Sequence, residues 1–245
     1  MAKLRDIPFK DESDFSKCQY IQANGSFGSG PLMATGVPNR IWIEEASCKM
    51  YLNINDVDTA GWKRSEIVLG TFPTGAGEYW STCDFKYDWD TDKNVAIGSW
   101  YATPDSGDGL KYVPIGFRIR YSALVIEVPI DPPTEGIGSK AIASAPIVRN
   151  RWYSLCVHAN LQPNNKGFRE VFLDKAPIVR EYGIPTAYVD VVGPYFKMGP
   201  YDGDHLLRFD EATLYVRNVT MWSGNDGYQN VMGGVPLSPP RLIDV

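Results

Sequence analysis

The chain has 245 residues, 44% of them hydrophobic, 13% aromatic and 22% charged, a composition that excludes a disordered or fibrous protein. Its net charge of −5, with no basic block or recognition signature, argues against a nucleic-acid binder but leaves room for a local basic cleft that takes an anionic glycan. No apolar run is long enough for membrane insertion, and 14 Tyr and 7 Trp among 23 Gly and 18 Pro suit short strands, tight turns and surfaces on which sugar rings stack.

In chain order, the opening MAKLRDIPFKDESD lacks the apolar core of a signal peptide, so the expectation is a protein that starts in the cytoplasm. Residues 1–38 read as an irregular arm. Strands are expected at 40–46, 48–55, 65–72, 81–89, 94–102, 115–128 with a turn near Ser122, 151–161, 169–182 with a hairpin turn at Asp174 to Ala176, and 211–222. Each is bounded by Gly, Pro, Asn or Asp. The segment 131–146 is the longest irregular stretch between them and reads as a candidate lid, and 223–245 as a Pro-rich tail. At least nine strands with no helix between them imply an antiparallel double sheet, an all-β jelly-roll sandwich, in a single domain over 1–245.

Cys18, Cys48, Cys83 and Cys156 follow no metal-ligand spacing and are expected as free buried thiols. Asp88, Asp90 and Asp92 have the alternate spacing of a calcium loop, but Lys93 holds the place of the required Gly and no Glu closes the site, so they read as a solvated turn. Neither a metal nor a cofactor is called for. The triplets Asn24-Gly25-Ser26 and Asn218-Val219-Thr220 read as chance matches to a glycosylation signal.

The stretch YFKMGPYDG, 195–203, carries chemistry of another kind. Alternate residues of a strand share a face, so Tyr195, Lys197, Gly199 and Tyr201 line one surface while Phe196, Met198 and Pro200 point the other way. Such a hydroxyl-bearing, cationic face is either a working surface or an exposed edge with snorkelling side chains.

Three stretches carry a family resemblance. Tyr195-Phe196-Lys197-Met198-Gly199-Pro200-Tyr201-Asp202-Gly203 is similar to a late strand, Tyr-Phe-Lys-Ala-Gly-Val-Tyr-Asn-Gln, of jelly-roll polysaccharide lyases of the alginate-lyase and heparin-lyase-like kind. Arg64-Ser65-Glu66-Ile67 matches an early Arg-Ser/Thr-Glu-Leu/Val-Arg strand, with Val68 where the last Arg would be. RWYSLCVHANLQPNNKGFREVFLDKAP echoes a Trp-Tyr strand leading to a hairpin that ends in Asp-Gly. The matches run in the family's order over 40–222. The resemblance implies a concanavalin A-like sandwich whose concave sheet forms a glycan-binding groove, and an acidic polysaccharide as partner.

It also implies roles. Arg64 would neutralise a uronate carboxylate, and Tyr201 would serve as base and acid once positive charge stabilises its phenolate. Lys197 lies about 13 Å along the strand from Tyr201 and would hold the carboxylate of an adjacent sugar. Tyr195, Glu66, Ser99, Trp100 and Tyr101 would contact substrate, with Trp62 a further stacking candidate. The family's Gln-Ile-His strand has its counterpart in Ile97-Gly98-Ser99-Trp100-Tyr101, so Gln becomes Ser99 and His becomes Tyr101. The chain's two histidines are the replacement candidates: His158 as a groove-lining or a structural residue, His205 as a group overhanging the site or a plain loop residue. Two functions stay open, a lyase cleaving a uronate polymer by β-elimination, and a non-catalytic glycan-binding or surface protein. An example of the second is a phage virion or tail component, released by lysis and partnered by other virion proteins.

Overall fold

The structure, a computed structural model, describes residues 2–23, 26–28, 40–53, 63–90, 93–102, 112–129, 139–187, 190–202 and 211–224. A short 3-10 helix, Glu12–Lys17, accompanies sixteen strands among these residues. In chain order they are β1 (Ala2–Ile7), β2 (Tyr20–Ala23), β3 (Ser26–Gly28), β4 (Arg40–Glu44), β5 (Ser47–Asn53), β6 (Lys63–Thr71), β7 (Gly77–Asp88) and β8 (Asn94–Ala102). The second half comprises β9 (Tyr112–Arg120), β10 (Ala123–Pro129), β11 (Ser139–Pro146), β12 (Tyr153–Leu161), β13 (Gly167–Leu173), β14 (Ala176–Ile184), β15 (Tyr195–Asp202) and β16 (Glu211–Ser223).

They build two antiparallel sheets. The first has the order β14-β13-β12-β7-β16-β5-β4, with β1 added along β16, and the second runs β11-β10-β9-β8-β15-β6-β2-β3. Neighbours in the sheets are often distant in sequence, as where β15 enters between β6 and β8. This is the jelly-roll sandwich.

Local chemistry explains the hairpins. Glu45-Ala46, Tyr121-Ser122 and Asp174-Lys175 each put two consecutive residues at positive φ, the two-residue turn whose twist matches the strands it joins. The strands alternate as a half-buried sheet requires: in β10, Leu124, Ile126 and Val128 are buried while the residues between them are not. The facing side chains of both sheets form a common core that includes Phe85, Tyr87, Ile97, Trp100, Phe117 and Phe196. Cys48, Cys83 and Cys156 are buried and Cys18 is half-buried, all four as free thiols. No helix among the described residues is long and apolar enough to cross a membrane.

Two expectations change here. The N-terminal stretch is not irregular throughout, because β1 pairs with β16 from Ala2↔Ser223 to Ile7↔Val219 and β2 pairs with β6. Of the candidate lid, residues 139–146 form β11, hydrogen-bonded to β10 from Ala123↔Pro146 to Pro129↔Ser139; residues 131–138 lie outside the described ones. Small residues such as Ala141, Ala143, Ser144 and Ala145 conceal a strand from hydrophobic patterning.

A third correction concerns Trp100. Its side chain is fully buried against Phe72, with ring centroids 4.6 Å apart, and its Nε1 donates to Ser81 Oγ across the sandwich at 2.9 Å. It is a core residue and does not contact a ligand on the outer face. Trp100→Ala should therefore lower stability by about 3–5 kcal/mol, seen as a drop in the urea midpoint.

Candidate active site

The outer face of the second sheet gathers most of the residues singled out in the sequence. Strand β15 is hydrogen-bonded on both sides, with Tyr201 opposite Arg64 and Lys197 opposite Val68 on β6, and Lys197 opposite Ser99 and Tyr195 opposite Tyr101 on β8. Phe196 and Met198 are buried in the core, so the residues between them point outward with their cross-strand partners. At Gly199, φ is +145°, and a β-carbon there would lie 2.1 Å from the Ser65 carbonyl oxygen. Only glycine lets β15 close on β6 at this point.

The charges form a compact group. Arg64 Cζ lies 5.6 Å from the centroid of the Tyr201 ring, and Lys197 Nζ lies 5.2 Å from the same ring and 5.2 Å from that of Tyr101. The Lys197 side chain thus leans along the strand toward Tyr201, where the backbone spacing alone suggested a site one sugar away. Its ammonium also contacts both carboxylate oxygens of Glu66, at 2.9 and 3.1 Å, and this pair is nearly withdrawn from water, Lys197 being 8% and Glu66 1% exposed. Glu66 is therefore the partner of Lys197 and not an exposed ligand for sugar hydroxyls.

The other phenols on this face are held neutral. Burial, reinforced by the Glu66 carboxylate, pushes the Tyr101 hydroxyl above its ordinary range against the opposing effect of Arg64. Tyr195 is pushed up far more strongly, chiefly by burial, and is hydrogen-bonded to the hydroxyl of Tyr20, itself raised by burial. The rings of Tyr195 and Tyr101 lie 5.3 Å apart.

Tyr20 was not anticipated. It sits on β2 opposite Val68, and its signal was the short alternation of YIQA, with Tyr20 outward and Ile21 in the core. Arg118 was missed as well. It is opposite Ala96, which is opposite Tyr201, so it lies two strands away, about 10 Å at the usual spacing, and is bonded to Glu127 at 3.4 Å.

His158 is elsewhere. Strand β12 belongs to the first sheet, and because Val157 and Ala159 enter the core, His158 faces outward on the opposite side of the sandwich. There it stacks on Trp80, centroids 3.6 Å apart, with Nδ1 at 2.8 Å from Glu170 and Nε2 at 2.8 Å from Glu78. It is not part of the group around Tyr201. His205 and Trp62 lie outside the described residues. Asp88 and Asp90 are both engaged by Arg149, at 2.7 and 2.8 Å, while Asp92 lies outside the described residues. Among the described residues no group of three or more His, Cys, Asp or Glu is arranged to hold a metal.

The comparisons with known proteins give the family and the fold. A family model described as polysaccharide lyase matches residues 14–220, and the chain belongs to that family. Among solved structures it is similar to an endo-β-1,4-glucuronan lyase from the fungus Trichoderma reesei, with 13% identity over 91% of this chain and 96% of that one and a TM-score of 0.69. It is also similar to an alginate lyase of polysaccharide lyase family 7, with 13% identity over 86% and 96% of the two chains and a TM-score of 0.64. At such identities the likeness establishes the fold. No curated protein matches the sequence.

Two outcomes test these placements. Glu66→Ala leaves the Lys197 ammonium buried without its carboxylate and should cost about 3–5 kcal/mol in denaturant unfolding. On the opposite face, burial acts to raise the Glu170 carboxyl, but hydrogen bonds from His158 and Tyr182, with the charges of His158 and Arg180, bring it below its ordinary range. Its contribution is present above the unfolded carboxyl value of about 4.3 and is lost as pH falls through the lower folded value. Glu170→Gln should flatten that acid limb in a pH series of thermal midpoints.

Proposed function

We propose that this protein is a lyase that cleaves a uronate-containing polysaccharide by β-elimination on the outer face of the second sheet. In that reaction the C–H bond beside the carboxylate breaks, a C=C bond forms to the neighbouring carbon, and the glycosidic oxygen leaves that carbon and takes a proton. A base, an acid and a counter-charge for the carboxylate are needed. The observation that supports the reading is Tyr201, cross-strand partner of Arg64, with the guanidinium and the Lys197 ammonium both close to its ring.

A phenol that titrates ordinarily near 10 becomes a competent base when positive charge favours its phenolate. Tyr201 is then the group that takes the proton and returns it to the leaving oxygen. Arg64 offers the planar fork that suits a carboxylate, and Lys197 adds charge while Glu66 fixes its position. Ser99 supplies a hydroxyl and Tyr101 a neutral phenol, so no group on these two positions titrates near neutrality. Tyr201 carries both proton transfers.

Glucuronan and alginate, the polymers named for the structural neighbours, are the first substrates to test, followed by heparin-type and bacterial capsular polymers. Wild-type protein should generate the ultraviolet absorbance of an unsaturated uronate product on at least one of them. Tyr201→Phe should lower kcat by about 10²–10⁴ while polymer binding persists. Silence of the wild type on every polymer, with binding that weakens in Lys197→Ala, would replace this reading with that of a non-catalytic glycan binder.

A further inference from the structure

We infer that the outer face of the first sheet carries a second binding site, for a short stretch of acidic polysaccharide, on the opposite side of the sandwich from Tyr201. The choice of ligand rests on the lyase reading; the site itself rests on the following geometry.

A hollow of about 370 Å³ opens on this face, within the size range of ligand pockets. Strand register explains it. Cys156 is opposite Thr82, and Thr82 is opposite Thr220, so three small side chains stand in a row across β12, β7 and β16. The next row is large: His158, Trp80 and Trp222 are opposite one another in the same way. Beyond the small row, β16 bulges between Arg217 and Thr220, with Asn218 at φ +52°. The result is a trough with a low floor and an indole wall.

Its chemistry suits a sugar. The floor presents the hydroxyls of Thr82 and Thr220, 2.6 Å from each other, and Trp222 Nε1 donates to Thr220 at 3.2 Å, which fixes the ring at the edge of the hollow. An aromatic wall beside a hydroxyl floor matches the apolar faces and hydroxyl rims of a pyranose. The far wall holds Asp84, but its carboxylate already accepts from Asn218 at 2.8 Å and Arg217 at 3.4 Å.

Charge at the ends makes the ligand acidic. Lys175, on the turn between β13 and β14, lines one end, and Lys3 on β1 lines the other, 5.2 Å from the Trp222 ring and paired with Asp6. From β13 to β1 is four strand steps, about 19 Å. A chain laid across the strands thus meets a cation near each end. Cys156 on the floor is held as a thiol, its ionisation opposed by burial and by Glu170, and the Asp84 carboxylate is engaged by Asn218 and Arg217. The site holds polymer. Engagement there would raise the effective concentration of chain near the other face.

The test uses the full chain carrying Tyr201→Phe, so that polymer is not consumed, with glucuronan, alginate, heparin-type and capsular polymers as probes. Lys175→Glu and Ser154→Trp change exposed positions, the second filling the hollow; Trp222→Ala removes the wall. Calorimetry with short oligosaccharides of whichever polymer binds should give two sites per protein, falling to one in Ser154→Trp. Affinity for the long polymer should drop at least threefold in Lys175→Glu with an unchanged thermal midpoint. In the active protein, kcat on short oligosaccharides should not change in either variant.

Unchanged affinity and stoichiometry in both Lys175→Glu and Ser154→Trp overturn the second site and leave the lyase reading intact. Binding that survives Lys197→Ala and disappears in Ser154→Trp, in a wild type that cleaves nothing, sustains the second site and overturns the lyase. Failure of every acidic polymer to bind overturns both.

Discussion

The placement of β15 between β6 and β8 is the constraint on which the site depends. A strand bonded on both edges has a fixed register, and a slip of one residue would turn Phe196 and Met198 out to solvent and drive Tyr195 and Lys197 into the core. The Lys197–Glu66 pair makes the same demand electrostatically. Removing both charges from water is costly, so the pair is tolerable only where both carboxylate oxygens meet the ammonium, and that happens in one register. Gly199 completes the arrangement by letting the two backbones approach where any side chain would collide.

That rigid floor gives four tyrosines on one face different surroundings. Tyr20, Tyr101 and Tyr195 are kept protonated mainly by burial, and they can donate hydrogen bonds or stack but have little use as bases. Tyr201 has the Arg64 guanidinium and the Lys197 ammonium close to its ring, the ammonium being shared with Tyr101. Giving chemically identical groups different surroundings is one way a fold can assign an acid–base task to a single residue. On the proposed reading, the replacement of Gln and His by Ser99 and Tyr101 concentrates that task on Tyr201 and leaves Arg64 as the carboxylate's main counter-charge.

Much of this was legible in the sequence because a sheet's period is two. The alternation in YFKMGPYDG separates the outward tyrosines and lysine from Phe196 and Met198, and the strands 94–102 and 211–222 are bounded by residues that end strands. The same rule should have removed Trp100 from the outer face, since it stands between Ser99 and Tyr101. What alternation does not reveal is which sheet a strand joins. His158 has the outward orientation expected of a polar-face residue, but on β12 that direction leads away from Tyr201. Pairings over long sequence distance, such as Lys197 with Glu66, are equally hidden, because the residues 131 positions apart meet only through the sheet order.

On the outer face of the first sheet many polar groups are already engaged with one another. Across β4, β5, β16 and β7 the first sheet carries alternating rings and cations: Lys49 lies between Trp42 and Tyr215, and Lys86 lies between Tyr215 and Trp152, at 4.1–5.4 Å from the ring centroids. Glu44 binds Lys49, and Glu45 approaches Lys86. This ladder spends its ring faces and charges on itself, and a ligand would have to displace internal contacts to gain any. The row Cys156, Thr82 and Thr220 differs in bulk: the two threonine hydroxyls bond each other, but the side chains are too short to fill the level of their large neighbours. The hollow above that row therefore has an indole on its wall and lysines at its ends.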